Sequence, residues 1–167
     1  VKTCAALCGV RIPRLADVVL TTSYPMDIDL RQGLKAVANN IRAVRPGGML
    51  INLVRAEEGA GHMSGRKPPF GRATLKRLAP LLAPAVRYTR SPEGEEFKFF
   101  TYFGLRMVRR YDVALYAPSV PKRATESIAF AHIVASFDEL WPIARKKFPR
   151  RAEVIVVPAG GVTYPLV

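Results

Sequence analysis

Four short stretches of this chain are apolar at consecutive positions rather than alternate ones: residues 17–22, 49–54, 112–116 and 153–157, the last stopped by Pro158. Strands that are apolar on both faces belong to a parallel sheet covered by helices. The segments between them carry a helical period. Over residues 28–44, Leu30, Leu34, Val37, Ala38, Ile41 and Val44 form one apolar stripe, with Asp27 or Asp29 available as N-cap and Pro46-Gly47 to close the helix. Residues 72–83 and 97–110 read as helices, and residues 137–148 follow the capping box Ser136-x-x-Glu139. Residues 128–134 could add a short strand. The order predicts an α/β fold in one domain spanning residues 1–167: an open, mostly parallel, Rossmann-like sheet flanked by helices. Such sheets bind ligands in the crevice beyond the carboxyl ends of their strands.

Composition narrows the function classes. At 167 residues, with 49% hydrophobic and 23% charged positions, the sequence is that of a globular domain. No apolar run reaches the roughly 18 residues of a membrane span, so no membrane is expected as partner. Two cysteines, Cys4 and Cys8, make no disulfide framework and lack partners for a zinc site, and cytoplasmic localisation is the expectation. The first residue is Val, with no signal pattern behind it, as expected for a domain of a longer chain.

Charge is the extreme feature, with 26 Lys and Arg against 13 Asp and Glu. Residues 61–123 alone carry 13 basic and 4 acidic residues. A field of this sign attracts nucleic acid, a carboxylate or phosphate ligand, acidic lipid or an acidic neighbouring domain. No G-x-G-x-x-G or P-loop pattern occurs, and the basic residues show no aromatic interleaving or RNA-type motif, so nucleic acid is not the expected partner. His62 lies in the Gly-rich loop over residues 59–71 and reads as a solvated loop residue; His132, in an apolar stretch, reads as a core or interface residue.

The richest segment leaves the first strand and opens the first helix: Ser23-Tyr24-Pro25-Met26-Asp27, then Arg31, Gln32 and Lys35. At about 100° per residue these last three fall away from the Leu30/Leu34/Val37 face. Two cations and an amide near a helix N-terminus add to a dipole that is already positive, an arrangement suited to an anion such as a carboxylate.

The run from Ala16 to Asp27 with Tyr24-Pro25-x-Asp27, then Gln32-x-x-Lys35, resembles the C-terminal domain of the nickel-dependent lactate racemase family. So do Pro46-Gly47-Gly48, the acidic glycine-rich Glu57-Glu58-Gly59, and the ending Val157-Pro158-Ala159-Gly160-Gly161 through Pro165. The resemblance spans nearly the whole chain and is weakest over residues 60–98. It implies a racemase or epimerase, an isomerase that inverts the α-carbon of a small 2-hydroxy acid by moving a hydride to a nickel-pincer nucleotide and back. By the same resemblance the acid/base histidines and the cofactor-tethering lysine lie in an N-terminal catalytic domain. This chain alone would then have no catalytic residue, bind no metal or cofactor, and be inactive. It would supply the substrate-facing wall: Gln32 and Lys35 as polar substrate contacts, Tyr24 beside them, Arg31 where lactate racemase has Tyr, and Phe99 where it has Trp. An extra Arg favours a substrate with a second negative charge or more hydroxyls. The alternative, from a different class, is a non-catalytic basic module that binds nucleic acid or an acidic partner.

Overall fold

A run of residues that is apolar on both faces needs cover on both, and the computed structural model shows how this chain supplies it. The structure describes residues 2–61, 69–90, 94–125 and 128–167. The chain order is α1 (Lys2–Cys8), β1 (Gly9–Arg11), β2 (Ala16–Thr22), α2 (Leu30–Asn40), a 3-10 turn (Ile41–Ala43), β3 (Val44–Leu53), α3 (Arg72–Tyr88), α4 (Glu95–Arg110), β4 (Asp112–Tyr116), α5 (Lys122–Thr125), β5 (His132–Val134), α6 (Phe137–Lys147), β6 (Val154–Val157) and β7 (Tyr164–Leu166). Five strands pair in parallel in the order β5-β4-β3-β2-β6, and β1 pairs with β7 in a separate parallel ribbon.

The connections from β2 through β5 step outward along the sheet with α2, α3 and α4 on one face. There Leu30, Leu34, Val37, Ala79, Leu105, Val108 and Phe130 pack on Val19, Leu50, Val113 and Leu115. The β5–β6 connection returns to the far side of β2 and lays α6 on the other face, where Leu140 packs with Val18, Met49, Ile51, Ala114 and Val134. Parallel crossovers are right-handed, so a reversal of stepping direction must change faces. The reversal falls between β2 and β6, which makes the carboxyl ends of those strands the topological switch point.

Local chemistry sets the element ends. Asp29 is the N-cap of α2: its Oδ1 accepts from the Gln32 amide at 2.6 Å, a contact worth about 1 kcal/mol. Ser136 caps α6 by accepting from the Glu139 amide at 3.2 Å, and Glu139 accepts in return from the Ala135 amide.

Two details differ from the sequence reading. Ala38 is exposed, while Ala36 is fully buried against the sheet side of α2. Pro46-Gly47-Gly48 does not close the helix, which has already ended at Asn40; it bulges out of β3, where Ala16 pairs with Val44 but Val18 with Met49. Glycine is needed twice there. Gly47 has φ +82°, and a Cβ on Gly48 would stand 2.7 Å from the Asp17 carbonyl oxygen.

Candidate functional site

At the switch point three segments meet: the 23–29 turn after β2, the 54–61 turn after β3, and the 158–163 turn after β6. They are joined by backbone hydrogen bonds. Ala56 N–H donates to Asp27 O (2.8 Å), Glu58 N–H to Ile28 O (2.9 Å), Leu30 N–H to Gly59 O (2.9 Å) and Gly161 N–H to Tyr24 O (3.2 Å). The Tyr24–Pro25 peptide is cis, and Ala56 holds a left-handed φ of 48°.

Beneath the turns lies a layer of buried neutral polar side chains. Asn52 Nδ2 donates to Ser23 Oγ (2.9 Å) and to the Gly33 carbonyl (3.1 Å). Asn40 Nδ2 donates to Ala36 O (2.9 Å) and Gly160 O (3.0 Å), Asn39 Nδ2 to Gly161 O (3.1 Å), and Thr21 Oγ1 to Val157 O (3.1 Å). Ser23, Asn40 and Asn52 are fully buried, and Asn40 Oδ1 has no partner. A Cβ on Gly160 would fall 1.9 Å from Thr21 Oγ1 and 2.8 Å from Asn40 Nδ2. The closing turn is therefore pressed against β2 and α2 by residue choice. The reading of residues in sequence missed this layer; its signal was an Asn inside each of two apolar runs, Asn52 in β3 and Asn40 in α2.

The residues expected to face a ligand lie on the turn and helix that follow β2. Tyr24 is 61% exposed. Lys35 is exposed, and Arg31 and Gln32 are half-buried. On α2 the three fall within an arc of about 100°, Lys35 one turn below the others. The Asn39 side chain, on the same flank as Gln32, bonds the closing turn, so Gln32 sits on the side of α2 that meets Gly160 and Gly161.

The electrostatics of the helix entry differ from the expectation. Two of the first amides of α2 are already taken, Leu30 N–H by Gly59 and Gln32 N–H by Asp29. Those two amides are therefore not open to an anion. Arg55 pairs with Glu57, and that hydrogen bond, then the charges of Glu57 and Asp27, holds its guanidinium above the ordinary value.

Phe99 stands apart from this group. It is 60% exposed near the start of α4, with ring contacts to Phe100 and Phe103 (5.7 and 6.2 Å). Because α4 runs back toward the start of β4, its first turns lie toward the carboxyl ends of the sheet, but no ring contact joins Phe99 to Tyr24 among the described residues.

A charged cluster marks the opposite, amino end of the sheet. Asp112 at the start of β4 receives Arg72 Nη2 (2.5 Å) on one oxygen and Lys147 Nζ on the other, tying α3 and α6 to the strand. Burial pushes the Asp112 carboxyl up, but Lys147, Arg72 and Lys76 outweigh it and hold it below its ordinary value. Burial also lowers the His132 pKa, aided by Arg72 and opposed by Asp112. His132 is half-buried on β5, at the edge of the sheet. His62 lies outside the described residues.

Among the described residues, no three His, Cys, Asp or Glu side chains come together to hold a metal ion, and no helix is long and apolar enough to cross a membrane.

Compared with protein-family profiles and with curated protein sequences, the chain matches none. Its fold is similar to that of the lactate racemase apoprotein from Thermoanaerobacterium thermosaccharolyticum, with a TM-score of 0.70 at 15% identity. The similarity covers 99% of this chain and 39% of that one. The chain thus has a lactate-racemase-like fold and spans well under half of that protein's length.

Proposed function

We propose that this chain is the substrate-facing domain of a 2-hydroxyacid racemase or epimerase whose hydride-accepting cofactor and acid/base groups sit on an N-terminal catalytic domain of the same protein. The observation that supports the reading is the fold similarity to a lactate racemase structure over nearly the full chain, with Tyr24 on the turn after β2 and Gln32 and Lys35 on the helix that follows it. The described residues offer a nickel-pincer nucleotide no metal-ligand set.

The roles follow from side-chain chemistry. The Lys35 ammonium is a flexible point charge suited to the substrate carboxylate. The Gln32 amide donates to the carboxylate or the 2-hydroxyl and can accept from the latter. Arg31 offers a planar fork to a second carboxylate, which points to a dicarboxylic or polyhydroxy acid in preference to lactate. Tyr24 supplies an exposed wall, and Phe99 is assigned to the far wall by resemblance. The anion is held and oriented by α2, while the locked turns beneath keep these groups in register.

The test is chiral chromatography on the complete, cofactor-loaded protein incubated separately with single enantiomers of lactate, malate and tartrate. The expected result is interconversion, fastest for an acid with more than one carboxylate or hydroxyl, and none with the 167-residue chain alone. Failure of the loaded protein to change any 2-hydroxy acid overturns the reading.

A further inference from the structure

The helical pair α3–α4 carries a second concave surface, on the side turned away from the sheet. Its floor is Ala79, Ala83 and Leu105, with Pro80 and Pro84 along one side. Its walls are Arg87 and Tyr88 from α3 and Tyr102, Arg106, Arg109 and Arg110 from α4, around a cavity of about 330 Å³. No carboxylate lines it among the described residues.

We infer that this groove binds single-stranded nucleic acid, its arginines taking the phosphates and its tyrosines the bases. This inference does not rest on the proposed enzymatic function.

Three observations carry it. First, the arginines have no acidic partner among the described residues. Arg14, Arg45, Arg55, Arg72 and Lys147 each meet a carboxylate elsewhere on the molecule. No ion pair joins Arg87, Arg106, Arg109 or Arg110 to one among the described residues. Cations in the last turn of a helix do complement its dipole. That accounts for Arg87, which ends α3, and for Arg109 and Arg110, which end α4, but not for Arg106 one turn earlier or for the convergence of two helices' cations on one groove.

Second, the aromatic interleaving absent from the linear sequence is present in space. Tyr88 is 82% exposed, an unusual position for a large ring, and the Arg87 guanidinium lies 5.7 Å from its centroid. Arg106 lies 5.8 Å from the Tyr102 centroid. Arg106 Nη1 also donates to Tyr102 Oη (3.3 Å), and flat rings beside guanidinium groups that meet no carboxylate among the described residues form the stacking-plus-phosphate surface by which single strands are held without sequence preference.

Third, size and charge favour a strand over a small anion. From Tyr102 to Arg110 the wall extends about 12 Å along α4 at 1.5 Å per residue, room for about two nucleotides. The groove also lies in the segment that holds most of the chain's excess charge, 13 basic against 4 acidic residues over residues 61–123.

The test is fluorescence anisotropy of a labelled 12-nucleotide oligothymidylate titrated with the 167-residue chain. Log affinity should fall with log salt at a slope of roughly −1.4 to −2.1, about 0.7 for each of the two to three phosphates contacted. Arg106→Gln with Arg109→Gln should flatten that slope by about 1.4 and weaken binding at least tenfold. Tyr88→Ala, at a position too exposed to matter for folding, should weaken it roughly tenfold through lost stacking. Lys146→Gln, on α6, should change nothing. Equal affinity for a duplex together with no effect of Tyr88→Ala would overturn the inference in favour of unspecific charge attraction. So would competition by polyglutamate or free AMP as strong as by the unlabelled strand, or binding that ignores all three groove substitutions.

Discussion

The crevice at the carboxyl ends of β2 and β6 and the groove between α3 and α4 hold their polar groups in opposite ways. In the crevice, buried neutral side chains are joined to backbone: Asn52 with Ser23 and Gly33, and Asn40 with Gly160. The charged residues lie on the helix that follows β2. In the groove, cations with no carboxylate partner among the described residues and the rings of the exposed Tyr88 and half-buried Tyr102 line two helices, with apolar packing beneath. A buried polar group costs stability when its partner is removed, because it keeps its desolvation penalty and loses its bond. An exposed one returns to water at little cost. Substitutions in the crevice should therefore act on folding and function together, whereas those in the groove should act on binding alone.

The comparison is sharpest at Gly160. Gly160→Ala drives a methyl into Thr21 Oγ1 and the Thr22 carbonyl. It should destabilise the chain by roughly 1–3 kcal/mol, the usual range for overpacking, read as a lower denaturation midpoint in urea. Asn52→Ala removes the two buried bonds that Asn52 Nδ2 gives to Ser23 Oγ and the Gly33 carbonyl, leaving Ser23 Oγ to donate to that carbonyl alone (3.1 Å), and should cost about 1–3 kcal/mol by the same measurement. A change under 0.5 kcal/mol at both positions would break the claim that the crevice is locked.

The next effect is smaller and depends on pH. His132 has a folded pKa below its ordinary 6.5, so the unfolded chain binds the proton more readily. Stability from its neutral form is complete above pH 6.5 and is lost as the pH falls below it. The depressed Asp112 carboxyl acts in the same direction in a lower window, below its ordinary 3.8. The urea midpoint should fall between pH 7.5 and 5.5, and His132→Asn should remove most of that slope. An unchanged slope in the variant would show that His132 is not the group responsible. Smallest of all, Arg109→Gln in the groove should shift stability by less than about 0.5 kcal/mol; a larger loss would mean that this arginine supports the fold.

The two regions also differ in how far the sequence disclosed them. The parallel sheet followed from runs apolar on both faces, and α2 from the Leu30/Leu34/Val37 period with an Asp cap, because these signals are local and act through the hydrogen-bond pattern of one element. Tyr24, Gln32 and Lys35 stand close together in sequence, and the β2–α2 connection sets them at one strand end. The layer beneath them pairs Asn40 with Gly160 and Ser23 with Asn52, contacts across 120 and 29 residues that no local pattern encodes. The groove was hidden for the same reason. Arg87-Tyr88 and Tyr102-x-x-x-Arg106 are unremarkable separately, and only the antiparallel packing of α3 on α4 makes them one surface. The Pro46-Gly47-Gly48 bulge was misread as a helix stop because a turn signal does not say which neighbouring element it interrupts. Phe99 carries its assignment by resemblance alone, since its ring contacts among the described residues are with Phe100 and Phe103 of α4.

The central claim is that the exposed face of α2 holds the carboxylate of a 2-hydroxy acid, and the most direct measurement is kcat/KM of Lys35→Ala in the complete, cofactor-loaded protein. A charge-assisted hydrogen bond contributes about 1.5–3 kcal/mol, so a loss of roughly one to two powers of ten is predicted. Gln32→Ala should lose less, and Arg31→Tyr should shift preference toward monocarboxylates such as lactate. Unchanged kcat/KM for Lys35→Ala with unchanged substrate preference for Arg31→Tyr would contradict the account and leave this face of α2 a solvated helix surface.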